Sequence, residues 1–322
     1  MKSMLAMVIT VLLAAGAQGA GAQAYPSKPV RWIIDFPAGG LSDLLARSVG
    51  QKLTESWGQS IVYDARPGAN GIIAYELAAK AAPDGYTLAF LSTPFSLNVS
   101  IYPKLPYDTR RGFAPITLIA VYPNLLVTHA RAPMKTVQEF IALAKSKPGG
   151  LTYASVGVGS SPHLAAELLK KALGVQAVHV PYTGSGPALT DLIGGRVDFM
   201  FVNPLAAMPH VRAGRLTVLG VAGAQRSPVL PEVPTLIEAG LAGFVSVGYA
   251  GAAAPARTPA AVIAKVNAEM VRALGMADVR ERIQNLGGEP RHSTPEEFGR
   301  FLQQEIERWA PVIRESGARA DG

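Results

Sequence analysis

At 322 residues, 49% of them hydrophobic, the chain can bury two cores and does not have the composition of a disordered protein. Its net charge of +7 comes from 30 Lys and Arg against 23 Asp and Glu. No basic run exceeds two residues, which describes a solvated surface and argues against a nucleic-acid partner. The absence of cysteine removes zinc–thiolate sites, thiol nucleophiles and disulfides together, and leaves nothing to mispair in an oxidising compartment.

In chain order, Lys2 is the only charge before Lys28, Met4 to Ala15 is apolar, and small residues end in Ala22-Gln23-Ala24. This pattern predicts a signal peptide over residues 1–24, cleaved after Ala24, and an exported mature chain beginning at Tyr25. The apolar run is short for a bilayer span. With no cysteine behind it, a lipid anchor is excluded. Strand and helix patterns then alternate. Val30–Ile34 reads as a strand, Leu41–Leu53 as a helix, Ile61–Tyr63 as a strand, Ile72–Ala82 as a helix and Thr87–Leu91 as a strand. "YPKLPYD" is a loop, and Phe113–Thr128 is a β-rich run broken by Pro123.

A second series follows. Helices are expected at Thr136–Ala144, Pro162–Leu173, Pro187–Ile193 and Pro204–Ala213. Strands are expected at Leu151–Ser155, Ala177–Val180, Arg196–Val202 and Leu216–Val221. After a proline-rich connector, Phe244–Ala252 is again β-rich. The tail reads as helices over Pro259–Leu274, Asp278–Leu286 and Pro295–Ser316. Two α/β series separated by two β-rich crossings predict an α/β protein of two lobes, each a mainly parallel sheet flanked by helices, with a hinged cleft between them. One lobe is expected to comprise residues 25–124 and 250–322, the other 125–249.

The helix starts carry the chemistry. Ser161-Pro162, Gly186-Pro187 and Asn203-Pro204 each place Pro at the first helical position beside a capping residue. "DFPAGGLSD" at 35–43 makes the same strand–turn–helix step in the first lobe, with Ser42 as a plausible cap. In a parallel sheet these helix N-termini share the carboxyl edge, where their unpaired N–H groups favour an anion. None of these loops carries Lys or Arg, so neutral donors would hold a carboxylate. Catalysis is poorly supported. Ser160, Ser161 and His163 are close in sequence, but Ser161 suits a cap, His163 falls in the first helical turn, and there is no G-x-S-x-G elbow. The five histidines show no metal-binding spacing, and no dinucleotide or phosphate fingerprint appears.

The stretches "FPAGGLSDLLAR", "ARPGANG", "AAPDGYTL", "KLPYD", "YASVGVGSSPHLAAELL", "HVPYTGSGPALTDLIGGRVDFMF", "RSPVLPEVPT" and "TPEEFGRFLQQEIERW" together resemble the periplasmic solute receptors of the tripartite tricarboxylate transporter type, the Bug family. The resemblance spans essentially the whole mature chain. It implies a type II periplasmic binding-protein fold that closes over a small carboxylated solute, with no cofactor or metal, probing the periplasm as a monomer and serving membrane permease subunits. It also implies site residues. The first-lobe turn would contribute Phe36, Pro37, Ala38, Gly39, Gly40, Ser42 and Asp43, with Ser92 and Thr93 behind that sheet. The second lobe would contribute Ser155, Gly157, Gly159, Ser160 and His163, with Tyr182 and Gly184 walling the pocket and Asn203 at the next helix start.

Two departures from the family pattern stand out. Ala38 replaces a usual proline, and Asp35 stands where a proline or apolar residue is usual. Asp35 either faces the cleft, where it would repel a second carboxylate and accept an ammonium, or is hydrogen-bonded within its own lobe. A receptor-like sensor feeding a membrane signalling partner is the alternative to transport.

Overall fold

The computed structural model describes residues 25–227 and 229–318. The signal peptide expected over residues 1–24 lies outside the described residues. The first sheet has the order β11-β4-β10-β3-β1-β2 and is built from β1 (Val30–Ile34), β2 (Ile61–Ala65), β3 (Thr87–Ser92), β4 (Phe113–Pro123), β10 (Val247–Pro255) and β11 (Glu289–Pro290). The second has the order β7-β6-β8-β5-β9 and is built from β5 (Leu125–His129), β6 (Leu151–Ser155), β7 (Ala177–Pro181), β8 (Phe199–Val202) and β9 (Leu216–Val221). Each sheet is mixed. β1 pairs in parallel with β2 and β3, and β6 with β7 and β8, as βαβ crossovers require. The strands that carry the chain between sheets pair antiparallel: β10 with β3 and β4, and β5 with β8 and β9.

Helices cover both faces of each sheet. Against the first lie α1 (Leu41–Trp57), α2 (Ile72–Ala79), α3 (Thr93–Ile101), α8 (Ala260–Gly275), α9 (Ala277–Asn285) and α10 (Pro295–Ser316). Against the second lie α4 (Val137–Ser146), α5 (Ser161–Leu173), α6 (Ser185–Ile193) and α7 (Pro204–Arg212). Strand β1 reads as a continuous apolar run because both its faces are covered. Val30, Trp32 and Ile34 meet Leu45 and Val49 of α1 and Val266 and Met270 of α8, while Ile33 meets the Tyr75, Phe95 and Phe298 side. In β10, Gly251 is required by the Phe298 ring, since a Cβ there would come within 2.2 Å of it.

Three connections join the lobes. The chain passes from β4 to β5 through Asn124 and returns through Ser246 into β10, and these two residues bond to each other. Asn124 N donates to Ser246 O at 3.0 Å, and its amide donates to Ser246 Oγ at 3.1 Å and to Ser161 Oγ at 2.8 Å. The third connection is the end of α10, where Trp309 and Ile313 pack with Leu97 and Ile101 of α3 and Leu164 of α5.

The expected helix starts shift slightly. The cap of α5 is Ser160 rather than Ser161, α6 begins two residues before Pro187 with Gly184 as its cap, and α1 is preceded by Gly40, not Ser42. Helix α3 was not anticipated. Seven of its nine residues are buried, so it has no polar face to set a period.

Candidate functional site

A cavity of about 380 Å³ lies between the two sheets. Five helix N-termini reach it: Gly40 to Ser42 of α1, Ser92 to Pro94 of α3, Ser160 to Pro162 of α5, Gly184 and Ser185 of α6, and Asn203 of α7. Side chains cap only two of them. Ser160 Oγ accepts from His163 N at 3.4 Å and Asn203 Oδ1 from Ala206 N at 3.0 Å. The starts of α1, α3 and α6 have no side-chain cap, so their first N–H groups face the cavity end unclaimed by side chains. No Lys, Arg, His, Asp or Glu stands among the lining residues, and the walls are completed by Phe36, Leu41, Tyr122, Val156 and Val202.

The first-lobe turn is shaped by Pro37 to Gly40. Gly40 N donates to Pro37 O at 3.1 Å and Gly39 takes φ +77°, a left-handed conformation that favours glycine. Asp43 does not reach the cavity. It accepts from Gly39 N at 2.9 Å and from Arg47 Nε at 2.9 Å, clamping the turn from beneath. Ala38 is exposed on the outside of the turn. Ser92 and Thr93, expected behind the sheet, instead line the cavity, because the chain turns directly from β3 into α3.

Asp35 does not line the cavity and is fully buried. It is hydrogen-bonded within its own lobe: Tyr75 donates to its Oδ2 at 2.6 Å and Ser92 at 2.5 Å. Burial pushes its carboxyl above the ordinary value, against the opposing pull of the Ser92, Tyr75 and Ser42 hydroxyls. Direct contact between Asp35 and an ammonium is therefore excluded in this arrangement, since the side chain has no surface on the cleft.

The second-lobe loop is supported differently. Gly157 and Gly159 have φ of +128° and +74°. Behind them, Gly159 N donates to His163 Nδ1 at 3.0 Å, and Ser155 Oγ lies 2.7 Å from His179 Nε2. The two imidazoles stack with centroids 4.1 Å apart. Burial, then mutual repulsion and Lys170, hold His163 down to about 3, and burial holds His179 down to about 4. Both are neutral at pH 7. Ser155, Gly157, Gly159 and His163 thus form the loop's support rather than the cavity wall. Ser160 Oγ donates to Gly157 O at 2.7 Å, and its partner in His163 is the backbone N–H, not the imidazole, so no nucleophile–base pair exists there. Tyr182 turns away to donate to Asp191 at 2.7 Å, leaving Thr183, Gly184 and Ser185 on the cavity.

Sequence reasoning missed Asn70, Tyr122 and Asn124 as cavity residues. Asn124 had a visible signal, a lone amide between two apolar strand runs. Tyr122 had none. Its hydroxyl donates to Tyr249 O at 3.3 Å, and burial pushes it well above an ordinary phenol.

The mixed two-sheet fold with an interlobe cavity defines a two-lobed binding protein. Residues 45–318 match the model of the tripartite tricarboxylate transporter family receptor, and the chain belongs to that family, whose members are periplasmic binding proteins and not enzymes. Among solved structures it is similar to R. palustris Rpa4515 with adipate, at 34% identity and TM-score 0.85 over 92% of this chain and 99% of that one. It is similar to the periplasmic binding protein BugD, at 30% identity and TM-score 0.81 over 92% and 100%. It is also similar to MatC from Rhodopseudomonas palustris with bound malate, at 35% identity and TM-score 0.79 over 90% and 100%.

Proposed function

We propose that the interlobe cavity captures a small carboxylated organic solute in the periplasm and that the chain, exported by cleavage after Ala24, presents it to membrane permease subunits of the tripartite tricarboxylate type. The observation that carries this reading is the convergence of five helix N-termini on a cavity with no charged side chain in its wall. Each terminus favours an anion by about 0.3–1 kcal/mol, more where partly buried. Backbone and hydroxyl donors hold a carboxylate without fixing it in an ion pair, which suits a protein that must release its cargo. The relatives solved with adipate and malate support the same solute class.

The lobes, residues 25–123 with 247–318 and residues 125–245, with strand β10 putting 247–249 in the first lobe rather than the second as the sequence boundaries had it, close as a clamshell about the Asn124–Ser246 crossings. Asn70 Nδ2 of the first lobe donates to Val158 O of the second at 3.4 Å, a contact that opening of the lobes would break. The test is a thermal-shift screen of chain unfolded and refolded to remove carried solute, against di- and tricarboxylates, aromatic acids and acidic amino acids. A solute at a hundred times its Kd stabilises by about 2.7 kcal/mol and raises the midpoint by several degrees. A well-folded sample unmoved by every acid overturns the reading.

A further inference from the structure

Ser92 occupies the N-cap position of α3, where a serine ordinarily turns its oxygen onto the first-turn N–H groups, yet it makes no such bond. Its hydroxyl proton is instead committed to Asp35 Oδ2, at the carboxyl end of the neighbouring strand β1 and 57 residues away in sequence. Tyr75 donates to the same oxygen. Asp35 Oδ1 has no hydrogen-bond partner among the described residues. We propose that Asp35 is a positioning residue that fixes the Ser92 hydroxyl, so that the cavity meets Ser92 as a hydrogen-bond acceptor and selects carboxylic acids bearing a hydroxyl or amino group beside the carboxylate.

The argument rests on the cavity being the solute site. A serine hydroxyl has one proton and two lone pairs. With the proton held by Asp35, only lone pairs remain for the cavity that Ser92 lines. This direction holds while Asp35 Oδ2 carries no proton; a proton on that oxygen would be donated to Ser92 Oγ or Tyr75 and would free the serine proton for the cavity. Next to this acceptor lie the uncapped first-turn donors of α3. A donor row beside one acceptor matches a carboxylate with a donor group on the adjacent carbon. An acid lacking that group leaves a buried acceptor unpaired and is disfavoured roughly ten- to a hundredfold.

The test measures Kd by calorimetry for matched pairs on the secreted chain: succinate against L-malate, D-malate and L-aspartate, and phenylacetate against mandelate. In the wild type the substituted member of a bound pair is expected to bind at least tenfold more tightly. Ser92→Ala brings the ratio close to one. Asp35→Ala combined with Tyr75→Phe frees Ser92 to donate and removes or reverses the preference. Asp35→Asn, which keeps one oxygen for both hydroxyls, retains it. A merely structural Asp35 would weaken every acid in proportion and leave the ratio unmoved. Should the double variant fail to fold, Ser92→Ala decides. Acids that bind without preference, or a preference that survives Ser92→Ala, overturn this inference alone. A folded chain that binds no acid of these pairs or of the wider screen overturns the carboxylate reading and this inference with it.

Discussion

The two walls of the cavity solve one problem with opposite chemistry. Each is a strand–turn–helix step whose glycines expose backbone donors, and each must keep that backbone rigid. The first-lobe turn is held by carboxyls: Asp43 accepts from Gly39 N, and Asp35 sits behind Ser92. The second-lobe loop is held by neutral imidazoles, with His163 accepting from Gly159 N and His179 meeting Ser155. The difference teaches that rigidity, not the supporting group, is what the backbone donors need. It also gives the walls opposite responses to acid.

The largest expected effect strikes the second wall. Gly159→Val places a β-branched residue at φ +74° and drives its Cβ to within 2.3 Å of Ile101 Cδ1 across the cleft. Left-handed strain alone costs roughly 1–2 kcal/mol. Solute binding is expected to disappear, and denaturant unfolding to show a loss above about 2 kcal/mol. Shortening Ile101 to Ala in the same chain should recover the steric part and leave the backbone part. Full recovery would mean that φ at 159 is of no account.

Next in size is the acid response. His163 and His179, with folded values of about 3 and about 4 against 6.5 when free, bind fewer protons folded than unfolded. Their contribution is complete above pH 6.5 and is lost as pH falls from there towards 4. Glu167, 4.0 Å from His163 Nε2, opposes the loss at His179, while Lys170 adds to it. Asp35 acts with the other sign. Its raised carboxyl binds a proton more readily folded than unfolded, so its contribution is present at low pH and fades as pH rises through its folded value. Melting curves between pH 7 and 4 should fall in the wild type and flatten when His163 is replaced by Gln. An unchanged slope in that variant would remove the imidazoles from the account.

The smallest effect tests the first wall. Asp43→Ala removes the acceptor for Gly39 N and the partner of half-exposed Arg47. A loss of about 1 kcal/mol is expected, as for a helix cap. Arg47→Ala should cost under about 0.5 kcal/mol because that side of the pair is exposed to solvent. A larger effect for Arg47 than for Asp43 would reverse the assignment of the clamp.

Much of this site was legible before any coordinates. The glycine turns at 39–40 and 157–159 lie on the expected strand–helix steps, and the prolines at 162 and 204 mark helix starts. What failed were orientations. The resemblance puts Ser92 behind the sheet, and nothing in "LSTPFSLNV" announces a helix buried on nearly every side. Asp43 and His163 are implied as contacts by the family resemblance alone, yet both turn back to hold their own loops.

The sequence by itself determined the alternation of strand and helix, the two crossings, and site loops without Lys or Arg, because these follow from periodicity, turn chemistry and local composition, while the family followed from its assembled motifs. Only the tertiary structure decided that Asp35 stands behind Ser92, that two histidines 16 residues apart stack under one loop, and that Asn124 ties both crossings together. Those facts depend on strand order and on partners brought together from distant parts of the chain, and no local pattern encodes which side of a buried strand end a side chain will take.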